Sequence, residues 1–188
     1  MATRTDRHLS TEELEAGLDL IRRAPPSDGV VELIVRRPAE GEREVLEEGV
    51  LDLVEGLVGD TWRARGSKRT ADGSAHPDMQ LNVMSARVVE LVAAGERERW
   101  ALAGDQLYVD LDLSEANLPP GTRLALGSAV VEVTAEPHTG CAKFVARFGG
   151  DAHRFVNTRT HRHLRLRGLN AKVVEPGAVR RGDTIRKL

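Results

Sequence analysis

The second half of the chain is a series of short apolar runs separated by turns that contain glycine. These runs are residues 107–113, 122–126, 129–134, 171–174 and 184–186. Runs of this length are typical of β-strands, and Gly127-Ser128 between two of them favours a hairpin turn. Short strands with frequent glycine turns predict a barrel or a folded-over sheet, so the sequence indicates a mainly β fold.

The first half mixes helical and strand patterns. Ser10 and Glu13 form a capping-box pattern that predicts a helix over residues 11–23. The remaining predicted elements are a strand at 30–36 that pairs with 43–46, a surface loop at 61–78, a strand at 79–84, a helix from Ser85 to Gly95 and a partly helical stretch at 143–158. The first half therefore adds a few short helices to the β fold.

The composition limits how the core is built. Hydrophobic residues make up 40% of the 188-residue chain, but aromatic residues only 3%. The core must therefore consist of valine, leucine, alanine and isoleucine. So few aromatic rings also disfavour a protein that binds single-stranded nucleic acid by base stacking.

Acidic and basic residues are concentrated in different segments. Residues 40–60 contain eight acidic residues and one basic residue, whereas residues 138–172 contain eight basic residues and one acidic residue. A segment rich in arginine can hold an anion through Coulomb attraction and forked hydrogen bonds. It can equally be a solvated basic face that balances the acidic half of the chain.

Cys141 is the only cysteine, so the chain cannot form an internal disulfide. It follows the turn residues Pro137 and Gly140, which predict an accessible thiol, and His138 and Lys143 are close in sequence. Positive neighbours favour the thiolate, the form that attacks, accepts sulfur or ligates a metal. The alternative is a buried structural cysteine.

The chain shows no signal-peptide pattern and no apolar run long enough to span a membrane, which predicts a soluble cytoplasmic protein.

A metal site is a weaker prediction. His161 and His163 would share a face if they lay on a strand, with His153 as a third ligand, but surface or phosphate-contacting histidines are the simpler interpretation. Asp110 and Asp112 are likewise interpreted as an exposed pair near the end of a strand.

Several pieces of the chain occur in an order that is known from one family. They are residues 56–60 (GLVGD), 80–85 (QLNVMS), 111–119 (LDLSEANLP), the cysteine turn with 141–151, and the ending 167–177 followed by 182–185. Together they resemble the MOSC domain, named for the C-terminal domain of molybdenum cofactor sulfurase, and most closely its small stand-alone bacterial members. The resemblance covers residues 45–188. It departs from many members at Gly140, where they have proline.

The resemblance implies a mainly β (α+β) fold, a folded barrel-like mixed sheet of the MOSC or pyruvate-kinase-barrel-like type with a few short helices. Residues 41–188 would form the barrel domain. Residues 1–40 would be an extension of one helix and one strand that packs on it.

The resemblance also implies that the protein binds the molybdenum cofactor, a pterin with a phosphate group. Cys141 would ligate molybdenum or carry sulfur, in the reduction of N-hydroxylated compounds or in sulfur transfer. The implied cofactor-binding residues are Asn117, Thr139, Lys143, Arg147, Arg162 and Arg167. Asp60 would fix its own loop through backbone hydrogen bonds.

The chain has no room for the pyridoxal-phosphate domain of the sulfurases. A sulfur donor or an electron-transfer partner would therefore act in trans, and neither a membrane nor nucleic acid is expected as a partner. Two alternatives remain open: a non-catalytic β-barrel module that binds anions or nucleic acid through residues 143–172, and a family member that has lost the cofactor.

Overall fold

The computed structural model describes residues 7–188 and consists of strands with a few helices packed on them. Its helices are α1 (Thr11–Ala16), α2 (Leu18–Arg22), α3 (Trp62–Arg65), α4 (Ala86–Val92) and α5 (Ala142–Val156). Its first six strands are β1 (Asp28–Arg36), β2 (Glu44–Leu46), β3 (Glu48–Asp52), β4 (Gly56–Leu57), β5 (Leu81–Ser85) and β6 (Leu107–Asp110). The others are β7 (Arg123–Leu126), β8 (Ala129–Val133), β9 (Leu169–Glu175), β10 (Gly177–Arg180) and β11 (Thr184–Lys187). Short 3₁₀ turns cover Pro77–Met79, Arg97–Ala103 and Arg162–Leu164.

Within residues 7–188, seven strands close into a barrel in the order β11-β7-β8-β9-β5-β6-β1, with β1 pairing back to β11. The barrel is mixed because β5 and β6 are parallel, whereas the other pairs are antiparallel. Strand β2 extends the sheet beyond β1, and β10, β3 and β4 form a small second sheet. The predicted mainly β, barrel-like fold is confirmed.

Alternating residues of the strands build two separate cores. Leu107 and Val109 of β6 belong to a cluster with residues from every barrel strand, which fills the barrel. Tyr108, between them, belongs to a second cluster formed with α1, α2, α4 and α5. This alternation follows from the period of two in a β-strand, and it fixes the helices against one outer face of the barrel.

Strand β1 comes from the segment assigned to the N-terminal extension, and it pairs with both β6 and β11. The division of the chain at residue 40 stays a prediction. The capping box is confirmed, because Ser10 and Glu13 bond each other's backbone N–H groups. The single helix predicted over 11–23 is instead two, joined at Gly17, where a side chain would collide with Leu91 of α4.

The predicted hairpin at Gly127-Ser128 is confirmed, since β7 and β8 pair directly across it. Gly127 has φ +57°, and an added Cβ would lie 2.2 Å from the carbonyl oxygen of Ala178. The predicted strand over 107–113 ends earlier, at Asp110. There the Asp110 carboxylate accepts hydrogen bonds from Arg87, and Asp112 begins a turn by accepting from the N–H of Ser114.

In the described residues, no helix has both the length and the apolar character needed to cross a membrane.

Candidate functional site

Cys141 lies at the N-terminal end of α5, and its side chain is exposed. The turn before it is held to the far end of the same helix. The N–H of Gly140 donates to Asn157 Oδ1 at 2.9 Å, and the carbonyl oxygen of Gly140 lies 3.1 Å from His153 Nε2. Proline at position 140 would lose this N–H donor, and any Cβ there would lie 2.8 Å from Asn157 Nδ2. The local packing therefore explains why glycine precedes the cysteine in this chain.

Cys141 opens into a cleft of about 640 Å³, here called the cysteine cleft. Its walls come from the end of β1 and the loop after it, from α3, from the segment before β6 and from the start of α5. The sequence-predicted residues on its surface are Thr139, Cys141, Lys143, Arg147 and Arg167. The fold thus brings together most of the site residues that the family resemblance implied.

The cysteine cleft is strongly basic. Arg43, Arg65 and Arg147 line it, and none of them forms an ion pair with a carboxylate in the described residues. Arg43 and Arg147 converge on Gly104, where their nearest nitrogens lie 3.5 and 3.8 Å from the position that a Cβ would take. Burial and the positive charges of Arg147 and Arg37 lower the pKa of Arg43. A bound anion would relieve this repulsion.

One buried ion pair supports the wall of this cleft. Arg37 donates from Nε and Nη2 to Asp60 at 2.8 Å each, and its Nη1 donates to the carbonyl oxygen of Gly104. Burial alone would raise the pKa of the Asp60 carboxyl, but the hydrogen bonds and charge of Arg37 outweigh it and hold that pKa below its ordinary value. Asp60 also accepts from the N–H of Trp62, which confirms that it fixes its own loop.

A second buried pair lies behind the cysteine turn. Arg167 Nη1 donates to both carboxylate oxygens of Asp105, at 2.9 and 2.7 Å. Burial raises the pKa of Asp105, and the charge and hydrogen bonds of Arg167 act in the opposite direction. The side chain of Asp105 is completely buried, so this pair is a fixed part of the scaffold, and Arg167 reaches the cleft as a neutralised cation.

His138 packs against this pair with its side chain 10% exposed. Its Nδ1 lies 3.4 Å from Asp105 Oδ1 and has no hydrogen-bond partner among the described residues. Burial, together with the charges of Arg167 and Arg37, holds the pKa of His138 well below its ordinary value. The imidazole is therefore neutral at neutral pH, and its contact with Asp105 is not an ion pair.

Two predicted cofactor-binding residues lie outside the cysteine cleft. Asn117 ties down its own loop by donating to the carbonyl oxygens of Pro26 and Asp112 at 2.8 and 2.7 Å. Arg162 lines a separate cleft of about 480 Å³, here called the second cleft, on the other side of the turn that contains His138 and Thr139. The structure does not bring either residue together with Cys141.

Sequence reasoning missed the contribution of the N-terminal half to the site. Arg37, Arg43, Arg65 and Asn82 all line the cysteine cleft, but they come from the end of β1, the loop after it, α3 and β5. The available signals were the Arg36-Arg37 pair before Pro38 and Arg43 as the one base in an acidic segment.

The histidines do not form a metal site. His161 and His163 flank Arg162 in a 3₁₀ turn rather than on a strand, and His161 Nε2 lies 3.1 Å from a carboxylate oxygen of Glu15. His153 contacts Gly140 instead. No group of three His, Cys, Asp or Glu side chains in residues 7–188 could hold a metal ion.

Fold and site together define a class: a closed mixed β-barrel with an exposed thiol at the mouth of an arginine-lined cleft. The family model of the MOSC domain matches residues 70–186. The chain belongs to the MOSC domain family, as the ordered motifs predicted.

Solved structures of two stand-alone proteins share the fold. The YUAD protein from Bacillus subtilis is 16% identical with a TM-score of 0.63, and the match covers 84% of this chain and 94% of that one. YiiM from Escherichia coli is 22% identical with a TM-score of 0.53, and the match covers 85% of this chain and 69% of that one. At these identities the likeness concerns the fold alone. No curated protein matches the chain.

Proposed function

We propose that this protein binds the molybdenum cofactor in the cysteine cleft, with Cys141 at the molybdenum. The observation that carries the proposal is the presence of one exposed thiol and several arginines without carboxylate partners in a single cleft. Membership of the MOSC family supports the same assignment.

The residues of the cleft fit an anionic pterin phosphate. Arg43 and Arg147 converge on Gly104, where the absence of a side chain leaves room between the two guanidinium groups. Arg43 Nε is also buried without a hydrogen-bond partner in the described residues, as expected of a site that is completed by a ligand. Arg43 and Arg147 would hold the phosphate, and Arg65 would add positive charge, whereas Lys143 is paired with Glu40 at 2.9 Å on the surface of the same cleft.

In this proposal Cys141 would contact the metal end of the cofactor. The backbone of Cys141 is extended, and its carbonyl oxygen accepts a hydrogen bond from the N–H of Phe144. The first turn of α5 therefore fixes the position of the Cys141 backbone, from which the thiol side chain extends. When bound, the molybdenum centre would supply two-electron redox or sulfur-transfer chemistry. Cys141 would serve it as a metal ligand, or its thiolate would attack the outer sulfur of a persulfide on the partner, so that the new S–S bond forms on Cys141 and the partner's thiolate leaves.

The reaction that we propose is the reduction of N-hydroxylated compounds or sulfur transfer. Both need a partner in trans, an electron-transfer protein or a sulfur donor, and the exposure of Cys141 leaves the thiol accessible to one. In this proposal the barrel holds the cofactor, while the partner supplies electrons or sulfur.

The test is the metal and pterin content of the protein purified from a host that makes the cofactor. We expect molybdenum and pterin in the wild type. Cys141→Ser should lose most of the molybdenum or, for a sulfur carrier, the persulfide that mass spectrometry detects on the wild type. Arg43→Gln combined with Arg147→Gln should reduce pterin content at least about tenfold, because each lost charge-assisted bond weakens binding by about 1.5 kcal/mol or more.

Arg154→Gln is the matched control. Arg154 is an exposed arginine of α5 that is paired with Asp151, outside the cysteine cleft, and the control should keep the wild-type cofactor content. A wild-type protein with neither molybdenum nor pterin, and with activity that Cys141→Ser leaves unchanged, would refute the proposal.

The alternative, a module that binds nucleic acid through residues 143–172, draws less support from the structure. The basic residues of that segment are divided among different places. Lys143 and Arg147 line the cysteine cleft, Arg162 lines the second cleft, and Lys172 pairs with Asp78 and Glu132. A nucleic-acid backbone would need a continuous basic track.

A further inference from the structure

The second cleft has a volume of about 480 Å³, within the range of small-molecule sites. Its walls are the C-terminal end of α5, the turn after it, the start of β9 and the cysteine turn. His138, Thr139 and Arg167 line both this cleft and the cysteine cleft. These three residues therefore separate the two clefts and contribute to the surface of both.

Two arginines of the second cleft have no partner. The guanidinium groups of Arg159 and Arg162 are exposed, donate no side-chain hydrogen bond and form no ion pair within residues 7–188. Arg165, which also lines the cleft, already donates one hydrogen bond from Nη1 to the carbonyl oxygen of Leu118 at 2.6 Å. Arg159 and Arg162 are the arginines of the cleft whose guanidinium groups make no bond within the described residues.

The acidic residues of the second cleft do not balance this charge. Glu136 is paired with Arg69 at 2.7 Å, and Glu115 is the other carboxylate among the lining residues. Arg167 is already neutralised by Asp105. The cleft therefore keeps an excess of positive charge from guanidinium groups, whose planar forks match carboxylate and phosphate oxygens.

We propose that the second cleft is a binding site for a small dianion, carrying phosphate or carboxylate groups, that Arg159 and Arg162 hold against the back of the cysteine turn. The second cleft shares Thr139 and Arg167 with the cysteine cleft, but it does not include Cys141, Arg43 or Arg147, to which the proposed function assigns the metal and the phosphate of the cofactor. Thr139 and Thr158, on the same surface, would donate hydroxyl hydrogen bonds to the remaining oxygens.

A small ligand fits these observations better than a polyanion. The available arginines lie in a concave cleft, and their neighbour on α5, Arg154, is already paired with Asp151. A long polyanion would need further unpaired cations on the rim. Two guanidinium groups that line one cleft can be satisfied by a single dianion.

The experiment is a titration of the ¹⁵N-labelled full chain at low ionic strength, with inorganic phosphate in one arm and succinate in the other, followed by amide NMR shifts. We expect saturable shifts in residues 156–162. Arg159→Gln with Arg162→Gln should weaken this binding at least about tenfold, because each lost charge-assisted hydrogen bond weakens binding by about 1.5 kcal/mol or more. Shifts near Arg43 and Arg147 should titrate as in the wild type. The arm that saturates at lower concentration identifies phosphate or carboxylate as the preferred group.

Arg154→Gln is again the control and should change the affinity less than about twofold, as expected for an exposed pair. The double variant should unfold like the wild type, because neither side chain has a partner to lose. The proposal is overturned if residues 156–162 do not shift, if the double variant binds like the wild type, or if Arg154→Gln weakens binding equally. It is also overturned if a single-stranded decanucleotide shifts the same amides at least about tenfold more tightly than phosphate, which would indicate a nucleic-acid surface.

Discussion

At the scale of single residues, the site depends on which charges are already neutralised. Arg37 and Arg167 are held by Asp60 and Asp105, whereas Arg43 and Arg147 are not paired with any carboxylate of the described residues. The paired arginines shape the walls, because an ion pair with a buried partner keeps one geometry. Arg43 and Arg147 each donate to one backbone carbonyl oxygen, and their other nitrogens remain available to a ligand, so residues of the same type have different roles.

The lowered pKa of His138 leads to a prediction of how the stability of the protein depends on pH. Its pKa is lower in the folded protein than the ordinary 6.5, so below pH 6.5 the unfolded chain binds more protons than the folded one. The contribution of His138 to stability is therefore constant above that pH and decreases as the pH falls. In urea unfolding of the full chain, the free energy of unfolding should fall between pH 7 and 5 by an amount that approaches about 1.4 kcal/mol per pH unit. His138→Gln should remove this decrease.

The exposed His163 provides the control for this measurement. It lies outside both clefts, so His163→Gln should keep the pH dependence of the wild type. Equal pH dependence in the wild type and His138→Gln would mean that His138 is not held neutral by its surroundings. The other charged groups that face His138 are Asp105, Arg37 and Arg167, and all three are unchanged in both variants.

At the scale of elements, α5 connects the thiol to the helical core. It begins directly after Cys141, and Phe144 and Phe148 bury their rings against each other and against the outer face of the barrel. The helix is kinked at Gly149, where φ is +89° and ψ is 166°. His8 occupies the space where a side chain at this position would lie. The kink thus allows the N-terminal segment to pack on α5.

Gly149→Ala and Gly150→Ala form a matched pair of neighbouring substitutions that tests this kink. Alanine at 149 must adopt a positive φ and would place its Cβ 2.9 Å from His8 Nδ1, so the free energy of unfolding should fall by about 1–3 kcal/mol. Alanine at 150 would meet only the flexible end of Arg154 at 3.3 Å, and stability should be unchanged or rise by up to about 1 kcal/mol. Thermal and urea unfolding measure both, and equal effects would argue against the kink.

The elements that could be predicted from the sequence are those with a strong local signal. The β7–β8 hairpin follows from apolar runs around Gly127-Ser128, and α1 follows from its capping box. The break at Gly17 could not be predicted, because it depends on a contact with Leu91 that is distant in sequence. The end of β6 at Asp110 likewise depends on a distant residue, because the Asp110 carboxylate accepts a hydrogen bond from Arg87.

At the scale of the whole molecule, the pairing of β1 with β6 assembles the site. It places Arg37, which follows directly after β1, against the carbonyl oxygen of Gly104 and in the same cleft as Cys141, although Arg37 and Cys141 are distant in the sequence. The segment from Thr139 to Arg147 could be predicted to line one cleft, because its residues surround a single turn, although Asn117 and Arg162 lie elsewhere. The N-terminal half could not, because only the long-range strand pairing places Arg37 and Arg43 in the same cleft.

The buried pair between Arg37 and Asp60 is therefore a test of the whole assembly. Asp60→Asn leaves the charge of Arg37 buried without a counter-charge, and the free energy of unfolding should fall by about 3–5 kcal/mol. The adjacent Arg36 pairs with Glu44 in an exposed position, so Glu44→Gln should cost less than about 1 kcal/mol. Urea unfolding of both variants, with pterin content as a second measurement, compares the two pairs.

Because Arg37 also binds the carbonyl oxygen of Gly104, where Arg43 and Arg147 converge, Asp60→Asn should lower pterin content while Glu44→Gln leaves it unchanged. An equal loss of stability in the two variants would mean that the buried Arg37–Asp60 pair stabilises the fold no more than the exposed Arg36–Glu44 pair does.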